Sequence, residues 1–137
     1  MKNKIIKKII SSKGELLFLH ANMNGTETEF ITSNDFLLQV GHLIFPKDYI
    51  AKKHRHAIVP RQIPYTAEVL LILSGRLKYS MWDYNNPNII IAKGIARKHD
   101  ILLLGKVGHS FVNLIKSKII EIKQGPYLGK LDKEYDE

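Results

Sequence analysis

Short apolar stretches recur along this chain about every ten residues, and turn-forming residues separate them. That spacing predicts an all-β sandwich or barrel. The stretches run Glu15 to His20, Phe36 to Phe45, Ala67 to Leu73, Arg76 to Tyr84, Ile89 to Ile95, Asp100 to Leu104, His109 to Ile115 and Lys118 to Lys123. Ser74-Gly75 reads as the turn of a hairpin, and Asn85-Asn86-Pro87-Asn88 as a turn. Helix signals are confined to Ile5, Ile6, Ile9 and Ile10, whose spacing admits one or two helical turns at the N-terminus; an N-terminal strand competes with that reading. The stretch after Gln124 joins Gly and Pro to charged residues and reads as an irregular arm.

At 137 residues the chain makes one domain, 1–137, with room for a real core. Its 45% apolar and 25% charged content is that of a globular protein. No cysteine is present, so disulfides, thiolate nucleophiles and cysteine zinc sites are excluded, and imidazole and carboxylate are the donors left for any metal. No apolar run approaches the roughly 20 residues of a membrane span. Met1 to Ile10 lacks the long apolar core of a signal peptide, and the expected location is cytoplasmic. The net charge of +8 invites a nucleic-acid reading. The lysines are scattered, however, arginine is scarce and no nucleic-acid-binding motif occurs, so the charge reads either as attraction for a small phosphorylated or carboxylated ligand or as a compositional bias with no role.

Three of the six histidines fall into an order that matters. His54-Arg55-His56 places two imidazoles on one face of a strand. Glu68 follows at the head of an apolar strand, and His109 enters another. Three imidazoles and a carboxylate suit a first-row divalent ion and leave coordination positions open.

The set His-x-His, Glu68, Gly75 seven positions later, then His109 with Asn113 four positions on, resembles the two motifs of the cupin superfamily. The resemblance spans about residues 41–124. It departs from the family pattern in an eleven-residue stretch between His56 and Glu68, in the absence of the first motif's opening glycine, and in His99-Asp100 where the family has Gly-Asp. It implies a double-stranded β-helix, a jelly-roll-like barrel with a short N-terminal segment and an irregular C-terminal arm. It also implies a divalent metal (Fe, Mn, Ni or Zn) held by His54, His56, Glu68 and His109. The tail Glu121 to Tyr127 resembles small single-domain cupins of bacterial polysaccharide and sugar metabolism.

On that footing the expected function is a metal-dependent isomerase, epimerase or dioxygenase acting on a small polar or anionic substrate such as a sugar phosphate or nucleotide sugar. A non-catalytic binding module and a metal-free sugar-nucleotide isomerase or epimerase are the alternatives. The stretch before Glu68 is expected to cover the barrel mouth, with Arg61, Gln62 and Tyr65 touching substrate. Glu121 and Lys123 share one strand face, and Ile120 and Ile122 the other. If the polar face turns inward, Glu121 and Lys123 become a candidate acid and base. Neither nucleic acid nor membrane is expected as a partner. A homodimer is expected, through the N-terminal segment or the aromatic strand at Tyr79 to Tyr84.

Overall fold

The structure, a computed structural model, describes residues 1–135. It is all-β. The strands are β1 (Lys4–Ile10), β2 (Leu16–Asn22), β3 (Glu29–Phe30), β4 (Gly41–His42), β5 (Glu68–Asp83), β6 (Asn86–Arg97), β7 (Asp100–Leu104) and β8 (Val107–Lys123). Among the described residues there is no α-helix. One 3-10 turn covers Gly129–Asp132, and no helix is long and apolar enough to cross a membrane.

Six strands form one antiparallel sheet in the order β1-β2-β7-β5-β6, with β8 on the other side of β5. The sheet curls into a half-barrel, and β3 and β4 form a separate two-residue pair. At the seam of the curl the Lys7 ammonium donates to the Lys93 carbonyl. The isoleucine-rich N-terminus is a strand rather than a helix. β-Branched side chains suit a pleated surface, and β2 offers an edge on which to pair.

β5 is the organising element. It alternates Leu70 and Ile72 toward the concave face with Val69 toward the convex one. The concave core gathers Phe18, Leu70, Ile72, Leu77, Tyr79, Met81, Leu102 and Leu104; the convex core gathers Leu19, Ala21, Phe36, Val69, Ile101 and Leu103. β7, buried throughout, is covered on both faces, which is why it is continuously apolar after Asp100.

Two expected turns and one expected strand are replaced. Ser74-Gly75 does not reverse the chain: Glu68 to Asp83 is one strand, and His109 to Lys123 likewise runs unbroken within β8. Gly75 instead makes a bulge, with φ of 104° and register shifts on both sides of it. The stretch from Phe36 to Phe45 forms a strand only at Gly41–His42. Phe36 plugs the convex core, and the Gln39 amide donates to the carbonyls of Ser33 and Phe36, so local capping replaces a sheet ladder. Asn85 does turn the chain as expected, its N–H donating to Asp83 Oδ2 at 3.0 Å.

The link from β6 to β7 passes through His99, whose φ is 71°. This is the left-handed region that costs an L-residue about 1 kcal/mol or more and costs glycine nothing. The His99 ring is exposed, while its backbone bonds Ile72 and Met23. His99→Gly is therefore expected to stabilise the protein by about 0.5–1 kcal/mol, read as a rise in the urea midpoint. A fall in the midpoint would show that the ring itself contributes.

Candidate functional site

The register of the sheet sets His109 opposite Met81, thirteen positions along β5 from Glu68. A straight ribbon would hold these residues tens of ångströms apart, at about 3.3 Å per residue. Yet His109 Nε2 lies 3.5 Å from Glu68 Oε2. The β5–β8 ribbon folds over on itself at the Gly75 bulge, and the fold brings its two ends together. Arg76 N–H donates to Ser117 Oγ at this bend.

Four polar side chains converge there. Lys123 is registered opposite Glu68, and Glu121 opposite Leu70. Glu121 reaches the Glu68 carboxyl, so the polar face of this strand turns to the concave side, while Ile120 and Ile122 are exposed. The Glu68 side chain is only 12% exposed, that of His109 35%. Burial, then the hydrogen bond and charge of Glu121, push Glu68 up from 4.5 to about 8. Glu121 is held low, chiefly by the hydrogen bond from Glu68. The two carboxyls thus share one proton across neutral pH, carried on Glu68. Burial, and next Lys133, lower His109, which leaves its imidazole neutral at pH 7.

The C-terminal arm closes one side of this cluster. Asp132, in the 3-10 turn, meets Lys123 Nζ at 3.3 Å, and this bond raises the lysine's pKa. Lys133 adds positive charge near Glu68, Glu121 and His109. The arm was expected to be irregular. Its two contributions to the site were not legible, because nothing in Gly-Pro-Tyr-Leu-Gly-Lys says which way it turns.

The other expected site residues lie elsewhere. His54 and His56 sit on an exposed segment without strand pairing, with ring centroids 5.5 Å apart and His54 Nδ1 bonded to the Lys52 carbonyl at 2.7 Å. Arg61 and Gln62 are exposed on the same segment. Tyr65 packs against the convex core, the face opposite Glu68, where burial and then Glu15 and Asp35 raise its pKa. Residues 57–66 therefore form no cover over the mouth. Of the four expected metal ligands the structure brings together Glu68 and His109, and among the described residues no group of three or more His, Asp or Glu is arranged to hold a metal ion. As placed, the donors do not fit a four-ligand ion.

A second polar cluster lies inside the concave core. His20, 2% exposed, bonds Tyr79 OH through Nδ1 at 2.9 Å and Asp100 Oδ2 through Nε2 at 2.8 Å. Asn22 Nδ2 and Arg97 N–H donate to the same carboxylate. An imidazole protonated on Nε2 satisfies both of its bonds. These bonds tie β2, β5 and β7 together.

Comparison with protein-family models, with curated proteins and with solved structures finds no match.

Proposed function

We propose that the barrel mouth formed by Glu68, Glu121, His109 and Lys123 performs acid–base proton transfer on a small anionic substrate, an isomerisation or epimerisation of a sugar phosphate or nucleotide sugar. The observation that carries this reading is geometric: a mostly buried Glu68 carboxyl hydrogen-bonded to Glu121 with His109 Nε2 at 3.5 Å, an arrangement that pushes Glu68 up and holds Glu121 low. Two like groups with separated affinities divide into an acid and a base. The Glu121 carboxylate takes a proton from the carbon next to a carbonyl. Glu68 delivers its proton to the carbonyl oxygen, giving an enediol. Glu121 returns its proton to the neighbouring carbon while Glu68 takes back a hydroxyl proton, which yields the isomer and restores both carboxyls. Lys123 and Lys133 supply the positive field for the substrate's anionic group, and the neutral His109 imidazole lies within reach of Glu68.

The test is wash-in of solvent deuterium, followed by NMR, across a panel of ketose and aldose phosphates and nucleotide-linked keto-sugars. Glu68→Gln keeps the shape and removes the acid. Its exchange rate is expected to fall about 10²–10⁴-fold. Unchanged exchange in Glu68→Gln would end this reading.

The same variant has a stability signature that needs no substrate. Between pH 4.5 and about 8 the folded protein keeps a proton on Glu68 that the unfolded chain has released. Stability from this group is full below 4.5 and lost as pH rises toward 8. Glu121 acts in the opposite sense, its share being lost as pH falls through its lowered value. Glu68→Gln is expected to flatten the decline on the alkaline side, measured by urea unfolding at several pH values.

A metal-dependent cupin-like enzyme is the second reading, favoured by one observation: Glu68 and His109 do meet. It needs the His54-x-His56 segment to come to the mouth. Elemental analysis together with His54→Ala and His56→Ala separates the two readings. Exchange that survives both substitutions supports the acid–base site, and loss of metal and exchange together supports the metal centre.

A further inference from the structure

The curled sheet meets itself along a seam without a ladder. β1 and β6 are the two ends of the strand order, and among the described residues no strand pairing joins them. The Lys7 ammonium on the Lys93 carbonyl holds the seam at one point. Beyond it, toward Lys4 on β1 and Arg97 on β6, the seam opens into a cleft of about 370 Å³. That is the size of a site for a small ligand. The cleft is distinct from the carboxyl site at the mouth. Asp100 lines the cleft, whereas Leu104, at the other end of β7, is the residue registered opposite Glu68. At about 3.3 Å per residue the two ends of β7 are about 13 Å apart.

The charge on this cleft is one-sided. Lys4 stands on one lip, Arg97 and Lys98 on the other, and among the described residues none of them meets a carboxylate within ion-pair distance. Sheet edges carry lysines as guards against pairing. Here the cations of two different edges line one hollow, where they repel one another across the gap. An anion between them turns that repulsion into a bridge. The carboxylate that lines the cleft, Asp100, is buried and already accepts from His20 Nε2, Asn22 Nδ2 and the Arg97 N–H. Asn22 Nδ2 spends one of its hydrogens on Asp100 and has a second to give. The cleft therefore joins cations on both lips to a neutral donor on its β2 side.

The donor set selects the anion. A phosphate monoester carries nearly two charges and three acceptor oxygens at neutral pH, enough to engage both lips and the amide together. A guanidinium matches two of those oxygens with its planar fork, and an ammonium serves as a point charge. Ile6 and Ile95 add an apolar wall for the organic part of the ester. We propose that the cleft between β1 and β6 binds a small phosphate monoester, its phosphate held by Lys4, Arg97 and Lys98 beside Asn22, and that this ligand staples the open seam. The site stands apart from the proton-transfer reading of Glu68 and Glu121 and does not depend on it.

The test is an NMR titration with phenyl phosphate, inorganic phosphate and a short single-stranded oligonucleotide, read at the ring nitrogens of His20, which lines the cleft. Phenyl phosphate is expected to shift them saturably and to bind about fivefold or more tighter than inorganic phosphate. Lys4→Ala and Arg97→Ala are each expected to weaken it about five- to tenfold. Both side chains are exposed, and Arg97→Ala keeps the backbone N–H on Asp100, so the fold is retained. Lys118→Ala removes the same charge from an exposed position on β8 and is expected to change the affinity less than about twofold. Glu68→Gln is expected to leave binding unchanged, which separates this site from the one at the mouth. No saturable shift at His20 at millimolar ester overturns the proposal, as does an equal loss in Lys118→Ala. Inorganic phosphate binding as tightly as the ester, or the oligonucleotide binding more tightly with the same sensitivity to Lys4→Ala, overturns it too.

Discussion

Asp100→Ala is expected to cost about 3–5 kcal/mol of folding stability, since each buried donor left without an acceptor costs about 1–3 kcal/mol. The carboxylate accepts from His20 Nε2, Asn22 Nδ2 and the Arg97 N–H. Alanine leaves all three donors without an acceptor, and His20 is almost wholly buried, so water cannot take over. The loss reaches further than the turn that holds Asp100, because His20 also fixes Tyr79 OH across the concave core. Calorimetry is the check: for a domain of this size each kcal/mol lowers Tm by about 2–4 °C or somewhat more. Asp100→Asn keeps one acceptor oxygen and is expected to fall between the two. A Tm within about 2 °C of the parent for Asp100→Ala would show that the cluster adds little beyond packing.

Gly75→Ala is expected to be nearly as severe, about 2–4 kcal/mol, and to act on the site as well. At φ of 104° an alanine is strained whatever the space around it. There is also no space: the new methyl would overlap Ser117 Oγ and lie 2.5 Å from Ser117 Cα. Relief requires β5 and β8 to part at the bend that brings Glu68 to His109. Carboxyl carbon NMR is therefore expected to show Glu68 moving down from about 8, as it loses its burial and Glu121. Ser117→Gly in the same chain removes the overlap with Oγ and Cβ, but neither the 2.5 Å approach to the Cα nor the strain, so it restores only a small part of the loss. A Glu68 titration unchanged in Gly75→Ala would show that the bend does not position the site.

How much of this was legible in the sequence follows from the range of each interaction. Strand periodicity is local, and the β2, β6 and β7 stretches were read within a few residues of their observed limits. The Ser74-Gly75 dipeptide looks the same whether it reverses a chain or bulges it. What decides is Ser117, more than forty residues away, together with two neighbours on the same edge of β5. Phe36 to Phe45 reads as a strand from its apolar run, but the convex core takes Phe36 as a plug. At the site, Glu68 and His109 were named together and do meet, and Glu121 and Lys123 were named as conditional on a facing that the register provides. Asp132 and Lys133 were missed, since a charged tail carries no period that reports where it returns. His54-x-His56 has the spacing of a shared strand face, yet spacing alone cannot say which sheet, if any, that strand joins.

The place of β5 has a consequence for how the molecule comes into being. Phe18 is hydrogen-bonded beside Leu104, and Glu68 beside both Leu104 and Lys123. Contacts so distant along the chain are made at the end of a slow conformational search, not at its start. During synthesis the β1–β2 and β5–β6 hairpins are the pairings available early, and β5–β6 must wait with an open flank until β7 and β8 have left the ribosome. A nascent chain of this kind is exposed to misassembly for most of its translation, and a chaperone that shields the flank of that hairpin would shorten the risk more than one acting on either terminus.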